Sequence, residues 1–192
     1  LKKGAIILKR IIKIFLLAII ILTLSFNVVA EKPTDISNHW AQDYILNLVN
    51  KNIMTTYTDD TFKPEQPITR GEFSIALAKQ MNLLPVKTSN FKDLENYQGK
   101  RYINALVEQD IINGYPDNTF KPEKAITKAE VITILIKTLG IDDKKEVIKL
   151  DNYHPYSDVP ENHWALNTIK IASKLQFTAQ NPKNMFFPKH LV

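Results

Sequence analysis

The chain repeats itself, and this repetition constrains its fold more than any other feature of the sequence. Positions 35–82 align with 93–140 without a gap. A third copy begins further along the chain, where the Asn-His-Trp-Ala run at 38–41 recurs at 162–165. Because a unit of about 50 residues cannot bury an apolar helix face alone, the copies must pack on one another.

The first two units each hold two stretches with the periodicity of an amphipathic helix, and the third holds only the first of them. The first stretch opens with Trp40 and continues with apolar residues at Tyr44, Ile45, Leu48 and Val49, one face of a helix. The second stretch opens with Thr-x-x-Glu, the capping-box pattern, so a structural role at the helix start is expected for Thr69, Glu72, Thr127 and Glu130. The predicted fold is mainly α, with short strands at most in the loops. Helices are predicted over 40–51, 69–82, 98–110, 128–139 and 163–174.

The repeats and the composition divide the chain into consecutive segments. These are a signal peptide at 1–30, a first repeat at 31–84, a second at 90–141, a linker at 142–155 and a third repeat at 156–192.

The N-terminal segment has the pattern of an export signal. Five basic residues and no acidic residue lie in 1–30, and the apolar run 14–24 follows them. Val28 and Ala30 are small residues at the −3 and −1 positions, so cleavage is predicted between Ala30 and Glu31. The alternative is an uncleaved membrane anchor, since the stretch 11–30 has nearly the length of a membrane span. In both cases the repeats lie outside the cytoplasmic membrane, and this segment is their one expected link to it.

Charge and composition exclude several classes of function. Residues 31–192 carry 20 basic and 20 acidic side chains, so no general basic field attracts nucleic acid. The chain has no cysteine, and its four histidines lack metal-ligand spacing. Its five glycines form no phosphate-binding loop. The sequence therefore predicts no catalytic residue, no metal site and no cofactor.

The motifs of the three units, taken in order, resemble the S-layer homology repeat. The matching runs are 35–41, 57–64 and 68–72 in the first unit, 91–94, 114–122 and 126–130 in the second, and 156–165 in the third. The resemblance covers nearly all of 34–190, as two full repeats and a third that is truncated at Val192. It implies one helical hairpin per unit, with three units around a pseudo-threefold axis. It also implies a secreted protein of the cell wall or S-layer, held non-covalently by an anionic, pyruvate-bearing wall polysaccharide.

An anionic sugar requires cations and flat apolar faces. Arg70 and Lys128 lie in the first turn of a predicted helix, where backbone N–H groups also favour anions. Trp40 and Trp164 offer ring faces. The resemblance adds the loop residues Asp59, Asp117 and Gly114 to the expected polysaccharide contacts. Because Arg70 has no capping role, its truncation is expected to weaken binding and leave the fold nearly unchanged, and Gly71 beside it is expected to leave open space for a ligand.

Other functions and partners fit the same residues. Peptidoglycan and other S-layer proteins are alternative partners. The chain is alternatively a structural or interaction protein of the envelope that pairs with other chains through its incomplete third repeat, or a fragment of a larger surface protein or enzyme.

Overall fold

Five α-helices alternate with tight loops in the computed structural model, which describes residues 32–87, 91–141, 150, 152–178 and 183–192. The helices are α1 Gln42–Asn50, α2 Arg70–Gln80, α3 Lys100–Glu108, α4 Lys128–Thr138 and α5 Leu166–Lys174. Within these residues the only strand-like pairings are the isolated bridges Thr69–Ala125 and Thr127–Leu191. The predicted mainly α fold is thus confirmed.

Part of the predicted domain organisation lies outside the residues that the structure describes. The signal peptide and its cleavage between Ala30 and Glu31 lie outside the described residues, and so does most of the 142–155 linker. No helix in the described ranges has the length and apolar character needed to span a bilayer.

The second helix of the first two repeats begins with a closed capping box. Thr69 Oγ1 accepts from the Glu72 amide at 3.1 Å, and Glu72 Oε2 accepts from the Thr69 amide at 2.9 Å. The equivalent bonds of Thr127 and Glu130 measure 3.3 and 2.9 Å. Each box satisfies backbone donors that a helix start leaves without a partner, which fixes where α2 and α4 begin.

The first helix of each repeat starts later than its apolar stripe predicts. Trp40 and His163 lie in the turns that precede α1 and α5, which begin at Gln42 and Leu166. Asn38 has a φ of 63°, in the left-handed region, and the N-cap residue of α1 is Ala41, so Asn38 does not cap this helix. In these two turns a histidine ring accepts a backbone N–H bond from the second residue after it, which holds the turn in place.

The helices pack between repeats. α2 packs on α3 of the following repeat, and α4 packs on α5 of the repeat after that. Each pair encloses a buried apolar cluster. The members of the first cluster include Ala78, Leu94, Ile103, Leu106, Phe120 and Ile126. Those of the second include Ile132, Ile136, Tyr156, Ile169, Ala172 and Phe186.

Three backbone hydrogen bonds close a ring through equivalent positions of the three repeats. The Ile68 amide donates to the Val192 carbonyl at 2.6 Å, Val192 donates to Ile126 at 3.2 Å, and Ile126 donates to Ile68 at 3.1 Å. Arrangement around a pseudo-threefold axis remains a prediction, and this ring is the contact that such an arrangement requires at its centre.

Candidate functional site

In every repeat an aspartate holds the loop that follows the first helix of that repeat. Asp35 accepts from the amides of Phe62 and Lys63 at 2.8 and 2.7 Å. Asp93 makes the same pair of bonds to the 120–121 amides, and Asp158 to the 186–187 amides. The bond from the Phe62 amide is the main reason that the pKa of Asp35 lies below its ordinary value. The sequence motifs contain these aspartates without indicating their role, and the nearly constant spacing from each aspartate to its phenylalanine was the available signal.

The loops of the second and third repeats bind the start of the second helix of the preceding repeat. The amides of Arg70 and Gly71, at the start of α2, donate to the carbonyls of Lys124 and Pro122, both at 2.8 Å. The amides of Lys128 and Ala129, at the start of α4, make the equivalent bonds to the carbonyls of residues 190 and 188, at 2.8 and 3.1 Å. The helix starts are therefore used to join repeats, and the anion-binding role that the sequence suggested for them has to compete with this one.

Arg70 is a buried cation with structural contacts. It is only 6% exposed. Nη2 donates to the Asn113 carbonyl at 2.7 Å, and the guanidinium lies 4.7 Å from the Phe120 ring centre and 5.4 Å from that of Tyr115. Burial lowers the pKa of Arg70, and the nearby Tyr115 and Glu130 raise it in part. Arg70 Nε has no hydrogen-bond partner among the described residues. The sequence predicts no structural role for Arg70, whereas in the structure it is buried and contacts Asn113 and Phe120.

Lys128 makes the corresponding contacts one repeat later. Its Nζ donates to the Phe186 carbonyl at 2.9 Å and lies 4.5 Å from the Phe186 ring centre. The ammonium of Lys128 thus binds the loop of the third repeat.

A groove of about 590 Å³ lies where α4 meets the second-repeat loop and the third repeat. Arg70 lies in its wall, and its basic residues also include Lys124, Lys137 and Lys189. Glu130 is the only acidic residue among the described residues that line it. Lys124 Nζ lies 3.0 Å from Tyr115 Oη and 3.3 Å from Glu130 Oε1. The hydrogen bond with Tyr115 is the main reason that the pKa of Lys124 is raised, so this lysine is cationic in the groove.

An aromatic pair from the third repeat completes this groove. The rings of His163 and Trp164 stack at 5.7 Å with an angle of 29°, and both side chains line the groove. Trp164 is 64% exposed. The groove therefore combines an excess of positive charge with an accessible flat ring, the two features that the sequence analysis required for an anionic sugar.

A second groove, of about 520 Å³, lies on the first repeat. It contains Trp40, Tyr44 and Tyr57, together with the basic residues Lys63 and Lys79. Glu72 is the acidic residue in its lining. The second groove is thus less positive than the first.

The structure brings together two of the predicted ligand residues, Arg70 and Trp164, in the first groove, and Trp40 lies in the second. Four others line neither groove: Lys128, Asp59, Asp117 and Gly114. Their ligand contact, and that of the residues in the grooves, remains a prediction.

Those loop residues have structural contacts of their own. Asp59 Oδ1 accepts from Thr61 Oγ1 at 2.5 Å, and Asp117 makes the same bond to Thr119. A Cβ at Gly114 would collide with the Phe91 ring. The absence of a side chain at Gly114 thus allows the Phe91 ring to pack against the backbone. In the described ranges, no cluster of three or more acidic, His or Cys side chains is suited to a metal ion.

Gly71 does not open the space for a ligand that the sequence analysis expected. A Cβ at this position would collide with the hydroxyl end of Tyr97 and lie 3.0 Å from Pro122 Cβ. Tyr97 occupies the position of His39 in the second repeat. The larger ring therefore fills the space that the missing methyl group leaves.

These features define a class of protein: a helical tandem-repeat module whose grooves are lined by aromatic and basic side chains. The chain belongs to the S-layer homology domain family, whose model matches residues 34–74, 90–132 and 155–192. The resemblance seen in the sequence is thereby confirmed, and with it the predicted location at the cell surface.

Similar proteins include a cellulosome-anchoring protein of Acetivibrio thermocellus, 33% identical over 139 residues that make up 69% of this chain and 30% of that protein. S-layer protein EA1 of Bacillus anthracis is 31% identical over 72% of this chain and 16% of its own length. Exoglucanase XynX of A. thermocellus is 29% identical over 81% of this chain and 14% of its own length. The chain thus spans less than a third of each of these relatives. Together they support cell-wall anchoring as the general function.

Proposed function

We propose that this chain anchors an exported protein to the bacterial cell wall by binding an anionic, pyruvylated wall polysaccharide. The observation that carries the proposal is the charge of the 590 Å³ groove, where four basic side chains and one acidic side chain surround an exposed tryptophan. A carboxylate-bearing sugar offers the acid for these cations and an apolar ring face for Trp164.

The same lining favours binding over glycoside hydrolysis. A glycosidase of the common type needs two carboxyl groups facing the scissile bond. Glu130 stands alone as an acid among the described residues of the groove, and its carboxylate is used by the Thr127 amide and by Tyr115 Oη, at 2.9 Å each. We therefore assign the repeats a binding role, whatever a longer protein that carries them does.

The proposal is tested by sedimentation with purified sacculi, before and after chemical removal of their attached polysaccharide. We expect the chain to sediment with intact sacculi and to remain in solution with stripped ones. Binding should weaken as salt is raised, because Lys124 and Lys189 in the groove are open to solvent screening. Lys124→Gln and Lys137→Gln are expected to weaken binding. Lys32→Gln is a matched control, since Lys32 is exposed and lies outside both grooves. Unchanged binding to stripped sacculi would instead point to peptidoglycan.

A second candidate function, pairing with another envelope protein, is favoured by the open face of α1. The carbonyls of residues 122 and 124, and of 188 and 190, accept the amides at the start of α2 and α4. The equivalent carbonyls in the first repeat belong to Pro64 and Gln66, and no described residue donates to them. Trp40 and Tyr44 beside them are 83% and 71% exposed. The partner that fits this surface is a helix of another polypeptide that begins like α2, with Thr, a cation, a small residue and Glu.

This second candidate predicts binding of a peptide with the sequence of residues 66–82, measured by fluorescence anisotropy on the full chain. A control peptide with alanine in place of the arginine is expected to bind more weakly. It lacks the cation that would contact the rings of Tyr57 and Phe62, as Arg70 contacts Tyr115 and Phe120. Tyr44→Lys in the chain is expected to abolish binding. Equal binding of both peptides would argue against a specific docking site.

A further inference from the structure

The first and third repeats differ in charge beside an equivalent histidine. Glu65 of the first repeat corresponds to Lys189 of the third. Glu65 Oε1 accepts a hydrogen bond from His39 Nε2 at 2.8 Å. A lysine ammonium is a donor only, so Lys189 cannot accept in the same way. The imidazole N–H that is used in the first repeat therefore has no such acceptor in the third.

The backbone fixes which ring nitrogen carries that proton. His39 Nδ1 accepts from the Ala41 amide at 3.1 Å, and His163 Nδ1 accepts from the Ala165 amide at 3.2 Å. A neutral imidazole whose Nδ1 accepts carries its hydrogen on Nε2. His163 thus offers an Nε2–H donor, and no residue in the described ranges accepts from it.

This donor and Lys189 belong to the same groove. Both side chains line the 590 Å³ groove, together with the exposed ring of Trp164. The groove also contains the buried Arg70, whose Nη2 is already bonded to Asn113. The accessible donors, His163 Nε2 and Lys189 Nζ, are thus separate from the buried guanidinium of Arg70.

We infer that His163 Nε2 and Lys189 Nζ form a carboxylate-binding pair that recognises the acid group of a sugar seated on Trp164. This inference rests on the proposed function and adds the residues that distinguish an acidic sugar from a neutral one. The second groove has no such pair among the described side chains, because Glu65 accepts from His39 and adds negative charge beside it. The pair therefore belongs to the 590 Å³ groove and has no counterpart in the second groove among the described residues.

The charge of Lys189 is tested by titration calorimetry on the full chain with two probes. These are a methyl hexoside that carries a pyruvyl ketal, and the same glycoside without that group. Lys189→Glu restores the acid of the first repeat, and we expect it to weaken binding of the pyruvyl probe by about tenfold or more, the size of a charge-assisted hydrogen bond. Binding of the neutral probe is expected to stay unchanged. Lys92→Glu makes the same charge change at an exposed residue outside the groove and is expected to leave both affinities unchanged.

The histidine is tested by His163→Asn, which keeps an acceptor for the Ala165 amide and removes the Nε2 donor. We expect about fivefold weaker binding of the pyruvyl probe with an unchanged thermal midpoint, as befits loss of one hydrogen bond. His39→Asn makes the matched change in the first repeat and is expected to leave this affinity unchanged.

Other results would overturn the His163–Lys189 pair, or this pair together with the anchoring proposal. Unaltered affinity in Lys189→Glu or His163→Asn would overturn the pair, and so would an equal loss for the two probes. If the unaltered chain binds walls but not the pyruvyl probe, the pair has no role in recognising acid groups while the anchoring proposal stands. If it binds neither, both proposals are wrong.

Discussion

The helices α1 and α5 hold the same place in the first and third repeats and have opposite surroundings. α5 lies against α4, and seven of its nine residues are buried, whereas only Ile45 and Val49 are buried in α1. The equivalent positions Tyr44 and Thr168 show the difference most clearly, at 71% and 4% exposed. The first helix of a repeat is therefore one half of an interface, and the repeat before it supplies the other half.

The loops follow the same rule. Phe120 and Phe186 are fully buried, and each lies beneath a cation from the preceding repeat, Arg70 and Lys128. Phe62, in the first repeat, is only partly buried. The loop motif is the same in the first and second repeats, and its packing depends on the neighbour.

The largest expected effect separates these loops directly. Phe120→Ala should lower the free energy of unfolding by about 3–5 kcal/mol, the range for a fully buried aromatic side chain. Phe62→Ala should cost less than about 2 kcal/mol, because less area is lost. Urea denaturation of the two variants measures the difference. Equal losses would show that the first-repeat loop is as tightly packed as the second.

Arg70→Ala is expected to have the next largest effect, about 2–3 kcal/mol of unfolding free energy, because it removes a hydrogen bond from a charged donor and leaves the Asn113 carbonyl without that partner. Arg70→Lys, which copies the residue at position 128, should recover part of the loss. The measurement is urea denaturation, with wall binding normalised to folded protein. A loss below about 0.5 kcal/mol would support the expectation from the sequence that Arg70 has no structural role.

Gly71→Ala tests whether the start of α2, in the first repeat, has adapted to the tyrosine that replaces histidine in the second repeat. The added methyl group would meet Tyr97, so we expect a net loss of about 1 kcal/mol even though alanine favours a helix. Tyr97→His introduces the residue that the first repeat has at this position. Combined with Gly71→Ala, it should recover the unfolding free energy that Gly71→Ala loses alone. A thermodynamic cycle over the two sites gives the coupling, and additive effects would contradict this pairing.

The smallest expected effect is a pH dependence from Glu130. Burial raises the pKa of Glu130, but hydrogen bonds from Thr127 and Tyr115 and the charge of Lys124 outweigh it, so the net pKa is below the ordinary 4.5. A lowered carboxyl pKa gives stability that is present above pH 4.5 and is lost as the pH falls through the folded-state pKa. Because burial offsets part of the hydrogen bonding, this contribution is on the order of 1 kcal/mol or less.

Glu130→Gln is the control for this effect, because glutamine also closes a capping box. Its unfolding free energy, measured by urea denaturation between pH 3 and pH 7 (about the range over which a carboxyl group titrates), should fall less steeply at the acid end than that of the unaltered chain. Identical acid limbs would assign the pH dependence to other carboxylates.

Local features of the sequence predicted the helices, while contacts between repeats decided the site. The capping residues Thr69 and Thr127 act within a single helical turn, so the starts of α2 and α4 followed from the sequence. Arg70 could not be recognised as buried, because its partners Asn113 and Phe120 lie in the next repeat, far along the chain.

The sequence does not indicate the remaining groove residues either. Lys124, Lys137 and Lys189 belong to no motif, and each occurs among many other lysines in the sequence. In the sequence, His163 stands out only as part of the His-Trp run. Its Nε2 donor is available because a residue near the C-terminal end of the same repeat is no longer an acceptor. That residue, Lys189 at the position equivalent to Glu65, is visible in the sequence and was the one available signal.

The hydrogen-bond ring through Ile68, Ile126 and Val192 has a consequence for how the molecule folds. A linear repeat array can lose its end units one at a time, because each unit contacts only its neighbours. Here the first and third repeats also touch, through the bond from the Ile68 amide to the Val192 carbonyl. Closing so long a loop is slow, so we expect the ring to form late in folding. Once it has formed, neither end unit can open without breaking contacts to two others, and the repeats should unfold together as one cooperative unit.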